Sequence, residues 1–427
     1  MSDESDKGQR LAEGIELTAH DPAFRDDPHP VYDLLRARAP RHRDDAYGRV
    51  LLTRYHDVNQ ALRHKGFGVD ARRARGDSYM RRVAGTGVKE SAGNAAYQPP
   101  LVLLDDPDHR RIRQLMSKAF NPQSIEAMRG RVEAITSDLL DGLEARDSID
   151  FISDFAAPLP TQVILDMMGL SDAPRDDFKR WSEDILMGYD PHRGAAIQTR
   201  LREAYVAMAA AFRQAVEARR ASPGNDLISD MVRAQEQADR LSDLEIISLC
   251  TQLMVAGNVT TTDLIGNGIY ALLTHPEQLQ RLKDDVQLID SAVEEMLRYD
   301  CPITETARIP HRDDALNGCP FGQGETLTAS LAAANHDPEV FADPHGFDIG
   351  RADNRHLAFG AGIHVCLGAP LARLESRIAI RRFVERFADL RLDDARPMPR
   401  RQLPFFRGFL ALPVRLGLSS QHDSQHE

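Results

Sequence analysis

The stretch FGAGIHVCLG at residues 359–368 decides the fold class of this 427-residue chain. Three glycines surround a single cysteine, Cys366, and a helix is predicted to begin directly after it. Glycine lets the backbone approach a bulky partner closely and adopt turns that are closed to other residues. The free N–H groups of a helix start favour a nearby anion. We therefore expect the pKa of the Cys366 thiol to be lowered.

A lone thiolate in a glycine-rich loop suits a large planar metal cofactor bound from one axial side, which indicates haem. The alternative for Cys366 is a buried structural cysteine that follows a turn. The residues fit F-G-x-G-x-H-x-C-x-G at every defined position, which favours the cofactor. This stretch resembles the haem-binding signature of the cytochrome P-450 superfamily. From residue 27 to about residue 417, the chain resembles a soluble bacterial member.

The composition is that of an ordinary globular protein, with 42% hydrophobic and 28% charged residues. A net charge of −12 argues against nucleic-acid binding, which normally needs a basic surface. The four cysteines form no CxxC pair, so neither a zinc ribbon nor a disulfide framework is expected. A reduced cytoplasmic location fits. The polar first residues do not read as a signal peptide, and no apolar run is long enough to span a membrane.

Hydrophobic periodicity predicts a mainly α protein with a minor β part in the first and last thirds. Ser242 and Glu245 form a capping box that starts a helix of roughly 50 Å, which ends near residue 274 before Pro276. The resemblance implies one large domain of about a dozen helices with small sheets over residues 21–418, and disordered segments at 1–20 and 419–427. Further helices are predicted at 123–146, 160–169, 174–188 and 193–221.

Other motifs agree with the resemblance in order and spacing. Glu295 and Arg298 lie three residues apart on one helix face and match the family's structural E-x-x-R ion pair. Many relatives carry arginine where this chain has Gly346, and Arg351 could take over the contact with Glu295. The cofactor implied is haem b (iron protoporphyrin IX), with Cys366 as its metal ligand. The other residues expected to bind it are His109, Arg113, Arg308 and His364, at two propionates, and Phe359, Gly360 and Gly368 in the loop.

The sequence AGNVTTTD at residues 256–263 places poor helix formers in the middle of the long helix. The resemblance implies that Ala256 and Gly257 leave room for dioxygen. The hydroxyl of Thr260 would hydrogen-bond to the bound oxygen molecule or to a water beside it. A local weakening of the helix would make a groove for this water.

Val259 occupies the position at which the family carries an acid, and valine cannot relay a proton. Asn258 with ordered water could serve instead, with Thr260 kept as the hydroxyl. Asp263, one turn on, could substitute. The relay could also run through bound substrate, with Val259 shaping the pocket. Otherwise the enzyme would use peroxide or act as an isomerase, dehydratase or coupling enzyme.

By resemblance, the substrate is a hydrophobic small molecule such as a terpenoid, steroid, macrolide or aromatic, and O2 is the co-substrate. A separate ferredoxin and its NAD(P)H-dependent reductase would supply electrons, and Arg110, Arg111 and Lys118 could form a basic patch for that ferredoxin. We expect a haem-thiolate monooxygenase, with a haem-based sensor as a further alternative. The expected pocket residues are Met254, Val255, Val259, Ile303, Thr304, Phe405 and Phe406, although ordinary packing explains the two phenylalanines equally well.

Overall fold

The computed structural model describes residues 17–76, 78–82, 98–238 and 241–417. Residues 1–16 of the predicted disordered segment at 1–20, the predicted disordered tail at 419–427 and much of the predicted loop at 70–100 therefore lie outside the described residues, whereas Leu17 and Thr18 are described and buried. Fifteen α-helices dominate the described part of the chain, in agreement with the predicted mainly α class. They are α1 (Pro22–Asp26), α2 (His29–Arg38), α3 (Tyr55–Arg63), α4 (Asp108–Met116), α5 (Pro122–Ala127), α6 (Arg129–Asp141), α7 (Pro158–Met167), α8 (Arg175–Leu186), α9 (Ala195–Ala221), α10 (Leu227–Ala238), α11 (Asp243–Thr274), α12 (Pro276–Asp284), α13 (Ile289–Tyr299), α14 (Leu331–Asn335) and α15 (Ala369–Arg386).

In each of the two larger sheets, strands from distant parts of the sequence pair with one another. One five-stranded sheet has the order β1-β2-β8-β5-β3, in which only the β2–β8 pair is parallel. A three-stranded antiparallel sheet has the order β4-β10-β9, and β6 and β7 form a hairpin. The strands are β1 (Arg41–Asp44), β2 (Arg49–Leu52), β3 (Phe67–Gly68), β4 (Ser148–Asp150), β5 (Glu305–Pro310), β6 (Asp314–Leu316), β7 (Cys319–Phe321), β8 (Thr326–Ser330), β9 (Asp389–Leu392) and β10 (Pro413–Gly417).

Helix α11 runs through the core and packs against α7, α8, α9, α13 and α15. Its predicted capping box is present: the Glu245 backbone N–H donates to Ser242 Oγ at 3.2 Å, and the Ser242 N–H donates to Glu245 Oε2 at 2.7 Å. At 1.5 Å per residue, its 32 residues span about 48 Å. The helix is continuous, so the predicted weakening around residues 256–260 does not break it.

The observed helices differ from the predicted ones in two places. The single helix predicted over 123–146 is divided at Met128 into α5 and α6. The periodicity of Ile125, Val132 and Ile135 continues across the division, so the hydrophobic pattern does not reveal it. Helix α10 was not predicted, although its buried residues Leu227, Ile228, Met231 and Val232 have helical spacing.

Among the described residues, no helix is both long enough and apolar enough to cross a membrane.

Candidate functional site

The loop before α15 holds Cys366 by backbone geometry that requires glycine. Gly360 and Gly362 have φ of 68° and 74°, in the left-handed region. A Cβ on Gly362 would lie 2.5 Å from the carbonyl oxygen of Leu62 at the end of α3, so no larger residue fits there. The Cys366 N–H donates to the Phe359 carbonyl at 2.9 Å and closes the loop. The loop therefore presents the thiol in a fixed position.

The Cys366 side chain has accessible surface, but protein surrounds the thiol closely enough that desolvation raises its pKa. Accessibility combined with desolvation describes a group that faces an interior cleft rather than the outer surface. The backbone N–H groups of Gly368 and Ala369 and the charge of Arg113 act in the opposite direction, as expected for a helix start. The expectation of a lowered pKa was wrong in its net direction, because desolvation outweighs these donors.

Basic side chains collect beside this loop. The rings of His109 in α4 and His364 lie 4.2 Å apart between centroids. Arg308 in β5 is 3% exposed, and burial lowers the pKa of its guanidinium to about 10. Burial, together with the charge of Arg308, also lowers the pKa of His364 to about 3. Arg113 donates from Nη2 to the Val365 carbonyl at 2.8 Å.

This cluster fits the propionates of a haem. His109 Nε2 and His364 Nε2 are buried without a hydrogen-bond partner among the described residues. Arg308 donates to the Ala307 carbonyl at 2.8 Å, and no described carboxylate forms an ion pair with it. Buried donors without acceptors are costly unless an anion is bound there. Two carboxylates next to the Cys366 loop would satisfy them, so the donor set matches the cofactor that the sequence predicts.

An accessible strip runs along the middle of α11. Between residues 254 and 269, only Ala256, Gly257 and Thr260 are not buried. The spacing i, i+1, i+4 places these three residues on one face of the helix. Thr260 Oγ1 donates to the Ala256 carbonyl at 2.5 Å, so the hydroxyl oxygen keeps its acceptor capacity toward the strip. We call these three residues the α11 strip.

Gly257 has a different role from the one expected. A Cβ built on it would lie 2.9 Å from Ile164 Cδ1 of α7, so its lack of a side chain permits close packing of α7 on α11. Ala256, which is exposed, remains on the open side of the strip. The room expected at this point therefore comes from Ala256 rather than from Gly257.

The polar and pocket residues predicted around the strip mostly point into the core. Asn258 is 2% exposed, and its Nδ2 has no partner among the described residues. Met254 and Val259 are 0% and 1% exposed, and Val255 is also buried in the main hydrophobic cluster. All of these side chains are thus buried beside the accessible strip, and the relay through Asn258 and the pocket wall at Met254, Val255 and Val259 stay predictions.

The alternative proton donor, Asp263, is held by a buried ion-pair network. Both of its oxygens accept from Arg401 Nε, at 3.0 and 2.9 Å, and Arg401 Nη1 donates to Glu183 Oε2 at 2.6 Å. Burial raises the pKa of Asp263 to about 7 against the lowering effect of Arg401. Gly408 leaves the space that the carboxylate occupies. Asp263 is 0% exposed and paired with Arg401, so it could act in the relay only if this ion pair opened.

The pair of Glu295 and Arg298 is buried and bidentate, with both N–O distances at 2.8 Å. Arg298 also donates to the carbonyls of Asn335, at 3.0 Å, and Gly346, at 2.7 Å. Arg351 Nε lies 3.0 Å from Glu295 Oε2, so the expected second arginine contact is present. The network fixes the segment that precedes the Cys366 loop.

The predicted pocket residues of the last third lie together. Ile303 and Phe406 form a β-bridge, and the Thr304 N–H donates to the Phe405 carbonyl at 2.8 Å. The sequence did not indicate two aromatic neighbours. The ring of Tyr79 lies 4.9 Å from that of Phe405, and the ring of Tyr189 lies 5.4 Å from that of Phe406. These four aromatic residues have no regular spacing along the sequence, so only the folded structure shows that they lie together.

A buried acid on α15 was also missed. Glu375 is 1% exposed, and its Oε2 has no partner among the described residues. Burial raises the pKa of its carboxyl to about 8, so the group is largely neutral at pH 7. Its place on the face shared with Leu371, Leu374 and Ile378 was the available signal, since an acid on an apolar helix face is unusual.

The expected basic patch is mostly neutralised. Arg110 Nη2 lies 2.5 Å from Asp106 Oδ2, and Arg111 is ion-paired with Asp108 and Glu245. Lys118 is exposed. Paired arginines attract an acidic partner less strongly than free ones, so these residues form a weaker docking surface than predicted.

The chain is similar to known proteins of one family. The family model described as Cytochrome P450 matches residues 83–416. "Cytochrome P450 107B1" of Saccharopolyspora erythraea is 39% identical over 94% of this chain and 98% of its own length. "6-deoxyerythronolide B hydroxylase" of the same organism is 37% identical over 92% and 97%. A crystal structure of the myxobacterial cytochrome P450 CYP267B1 in complex with myristic acid has a TM-score of 0.86 and 36% identity, over 94% of this chain and 99% of that one.

Proposed function

The chain belongs to the cytochrome P450 family and is a haem b monooxygenase, and from this premise we propose that it hydroxylates or epoxidises a hydrophobic small organic substrate. One oxygen atom of O2 enters the product. Electrons come from a separate ferredoxin and its NAD(P)H-dependent reductase. Cys366 would hold the haem iron through its sulfur, and His109, Arg113, Arg308 and His364 would hold the propionates.

The α11 strip is the observation that carries the proposal. Between residues 254 and 269, α11 is buried except at Ala256, Gly257 and Thr260, and it places a hydroxyl at this opening. When bound, the haem supplies the oxygen-activating chemistry. Thr260 Oγ1 can accept a hydrogen bond from a water molecule, because its own hydrogen is directed to the Ala256 carbonyl. Rotation of the Thr260 side chain then turns the hydrogen toward the cleft, so the hydroxyl can hold and pass a proton.

The substrate class that we favour is a large, mostly apolar molecule such as a macrolide or another polyketide. The relative named 6-deoxyerythronolide B hydroxylase supports the macrolide. The cluster of Tyr79, Tyr189, Phe405 and Phe406 also supports an apolar ligand, since aromatic walls bind large apolar surfaces. Terpenoids, steroids and smaller aromatics are the other classes to be compared.

The experiment is a mass-spectrometric product screen over panels of macrolides, terpenoids, steroids and aromatics. One arm receives a surrogate ferredoxin, its reductase and NADPH under 18O2, and the other receives hydrogen peroxide. We expect products that are heavier by one 18O atom in the electron-driven arm. Products in the peroxide arm alone, or products without added oxygen, would overturn the proposal.

A peroxide-using or non-oxygenating enzyme is the second candidate, favoured by one observation. The α11 strip carries no carboxyl group, because Val259 replaces the family's acid and Asp263 is bound to Arg401. For such an enzyme, the amount of NADPH consumed would not follow the amount of product formed. The ratio of NADPH consumed to product formed in the first arm therefore separates the two candidates.

A further inference from the structure

Three histidines from distant parts of the sequence meet at one place. His29 is the first residue of α2, His336 follows α14, and His345 lies in the segment that leads to Arg351. One ring nitrogen of each lies within 4.8 Å of those of the other two. No residue of this group belongs to the Cys366 site.

The spacing suits a metal ion. His336 Nδ1 and His345 Nδ1 are 3.4 Å apart, and the rings of His29 and His336 lie 3.8 Å apart between centroids at a 29° angle. Zinc–nitrogen bonds of about 2.0–2.1 Å in a tetrahedral site separate neighbouring ligand nitrogens by roughly 3.4 Å. One pair is therefore already at ligand spacing, and the His29 nitrogen, within 4.8 Å of the other two, would complete the set if its ring turned toward them on metal binding.

The outer nitrogens have the partners that metal-binding histidines use. His336 Nε2 lies 2.9 Å from the Tyr299 carbonyl, which can only accept, so Nε2 carries the hydrogen and Nδ1 keeps its lone pair. His345 Nε2 lies 2.9 Å from Asp33 Oδ2, an arrangement that likewise directs Nδ1 inward. Such carbonyl and carboxylate contacts orient imidazole ligands around metals.

The first histidine supplies an unused donor. His29 Nδ1 is buried and has no hydrogen-bond partner among the described residues. A buried imidazole nitrogen without a hydrogen-bond partner is costly in a packed interior, and it becomes satisfied if its lone pair binds a cation.

The surrounding charges are balanced. Two arginines act on this cluster, and each has an acidic partner: Arg298 is paired with Glu295, and Arg407 is paired with Asp300. Asp33 contacts His345 but is also paired with Arg36, at 2.7 Å, so these two residues balance each other, and Asp27 contributes a negative charge near His29. A dication is therefore not opposed by an unpaired positive charge among the described neighbours.

We propose that His29, His336 and His345 form a binding site for a divalent transition-metal ion, with Zn2+ as the best match for three imidazoles. The His345 side chain is 48% exposed, so the ion has a path from solvent and a water completes its coordination. The bound ion would tie the start of α2 to the segment between α14 and Arg351, which accepts hydrogen bonds from Arg298.

The test is a calorimetric titration of the untagged, haem-loaded protein with ZnCl2 after passage over a chelating resin. The haem-loaded form is used so that Cys366 does not bind zinc. The two C-terminal histidines, His422 and His426, are replaced by alanine in every sample because they offer a competing site. Binding to the parent, His345→Ala, His29→Phe and Asp33→Asn proteins is compared. The exposed His56→Ala serves as the matched control.

We expect one zinc per chain in the parent and in His56→Ala, and a rise in Tm of about 3 °C at saturating zinc. Affinity should fall at least about tenfold in Asp33→Asn and further in His345→Ala and His29→Phe. His29→Phe retains an aromatic ring, so its Tm without zinc shows whether packing is preserved. The proposal is wrong if the parent shows no saturable binding, or if the three variants bind zinc as the parent does.

Discussion

Asp263 and Arg401 form an ion pair inside the core, with both carboxylate oxygens about 3 Å from Arg401 Nε. The two residues lie far apart in the sequence, in α11 and in the segment before β10. Glu183 at the end of α8 completes the network. The pair holds the one carboxylate of the AGNVTTTD stretch inside the core, and it anchors the chain that carries Phe405 and Phe406.

We expect Asp263→Asn to lower stability while leaving the coupling of electron use to product unchanged. Removing one member of a buried ion pair costs about 3 kcal/mol in the free energy of unfolding. Chemical denaturation measures the first effect, and the ratio of product to NADPH measures the second. If this ratio falls severalfold, Asp263 takes part in proton delivery after all.

We expect Thr260→Ala to uncouple the reaction, because the accessible hydroxyl of the α11 strip is lost. Product formed per NADPH consumed should fall by roughly tenfold or more, with hydrogen peroxide released instead. Thr274→Ala is the matched control, since the Thr274 hydroxyl also donates to the carbonyl four residues earlier, at 2.9 Å, but at the end of α11. Equal coupling in both variants would remove Thr260 from the mechanism.

Cys366→Ala is expected to abolish the long-wavelength Soret band of the reduced carbonyl complex, because thiolate ligation of the iron produces that band. The spectrum of the reduced, CO-treated protein measures this. Cys319→Ala, at a partly exposed cysteine in β7, should retain the band. A persistent band in Cys366→Ala would contradict the ligand assignment.

Arg308→Leu should weaken haem retention, because a buried cation that faces the propionates is removed. We expect transfer of haem to an excess of apomyoglobin to be accelerated by roughly tenfold or more, the equivalent of at least about 1.4 kcal/mol. The control is Arg312→Leu, at an exposed arginine four residues further on, after the end of β5. Unchanged transfer in Arg308→Leu would place the propionates elsewhere.

Glu375→Gln should flatten the pH dependence of stability. The pKa of Glu375 is raised by burial to about 8, above the unfolded value of about 4.5, so the native state binds more protons between these values. Its contribution to stability is therefore complete below pH 4.5 and is lost as the pH rises to 8. The denaturation midpoints at pH 5 and pH 8 should differ less in the variant than in the parent. If this difference is the same in both proteins, ionisation of Glu375 does not cause the pH dependence of stability.

The sequence predicted the parts of the molecule that depend on neighbours along the chain. The capping box at Ser242 and the pair of Glu295 and Arg298 each join residues three positions apart, so residue type and spacing were sufficient. The loop around Cys366 was predictable because its glycines are required by backbone geometry.

The remaining features depend on contacts that the sequence does not encode locally. Asp263 meets Arg401 only after folding, and the pKa of Cys366 is decided by how much protein surrounds it. Asn258 is next to Gly257 in the sequence, yet it is buried while Gly257 is accessible. The motif alone does not show which of two neighbouring residues the fold leaves accessible.

The unbroken course of α11 has a consequence for the opening motions of the protein. Residues 261–269 are fully buried and belong to the same hydrogen-bonded helix as Ala256 and Thr260. Local unfolding at the strip would have to break this helix, whereas α8 and α9 pack over it from outside. Amide hydrogen exchange should therefore be slowest in the second half of α11. We therefore expect that any opening over the α11 strip would involve movement of α8 and α9, while α11 keeps its course.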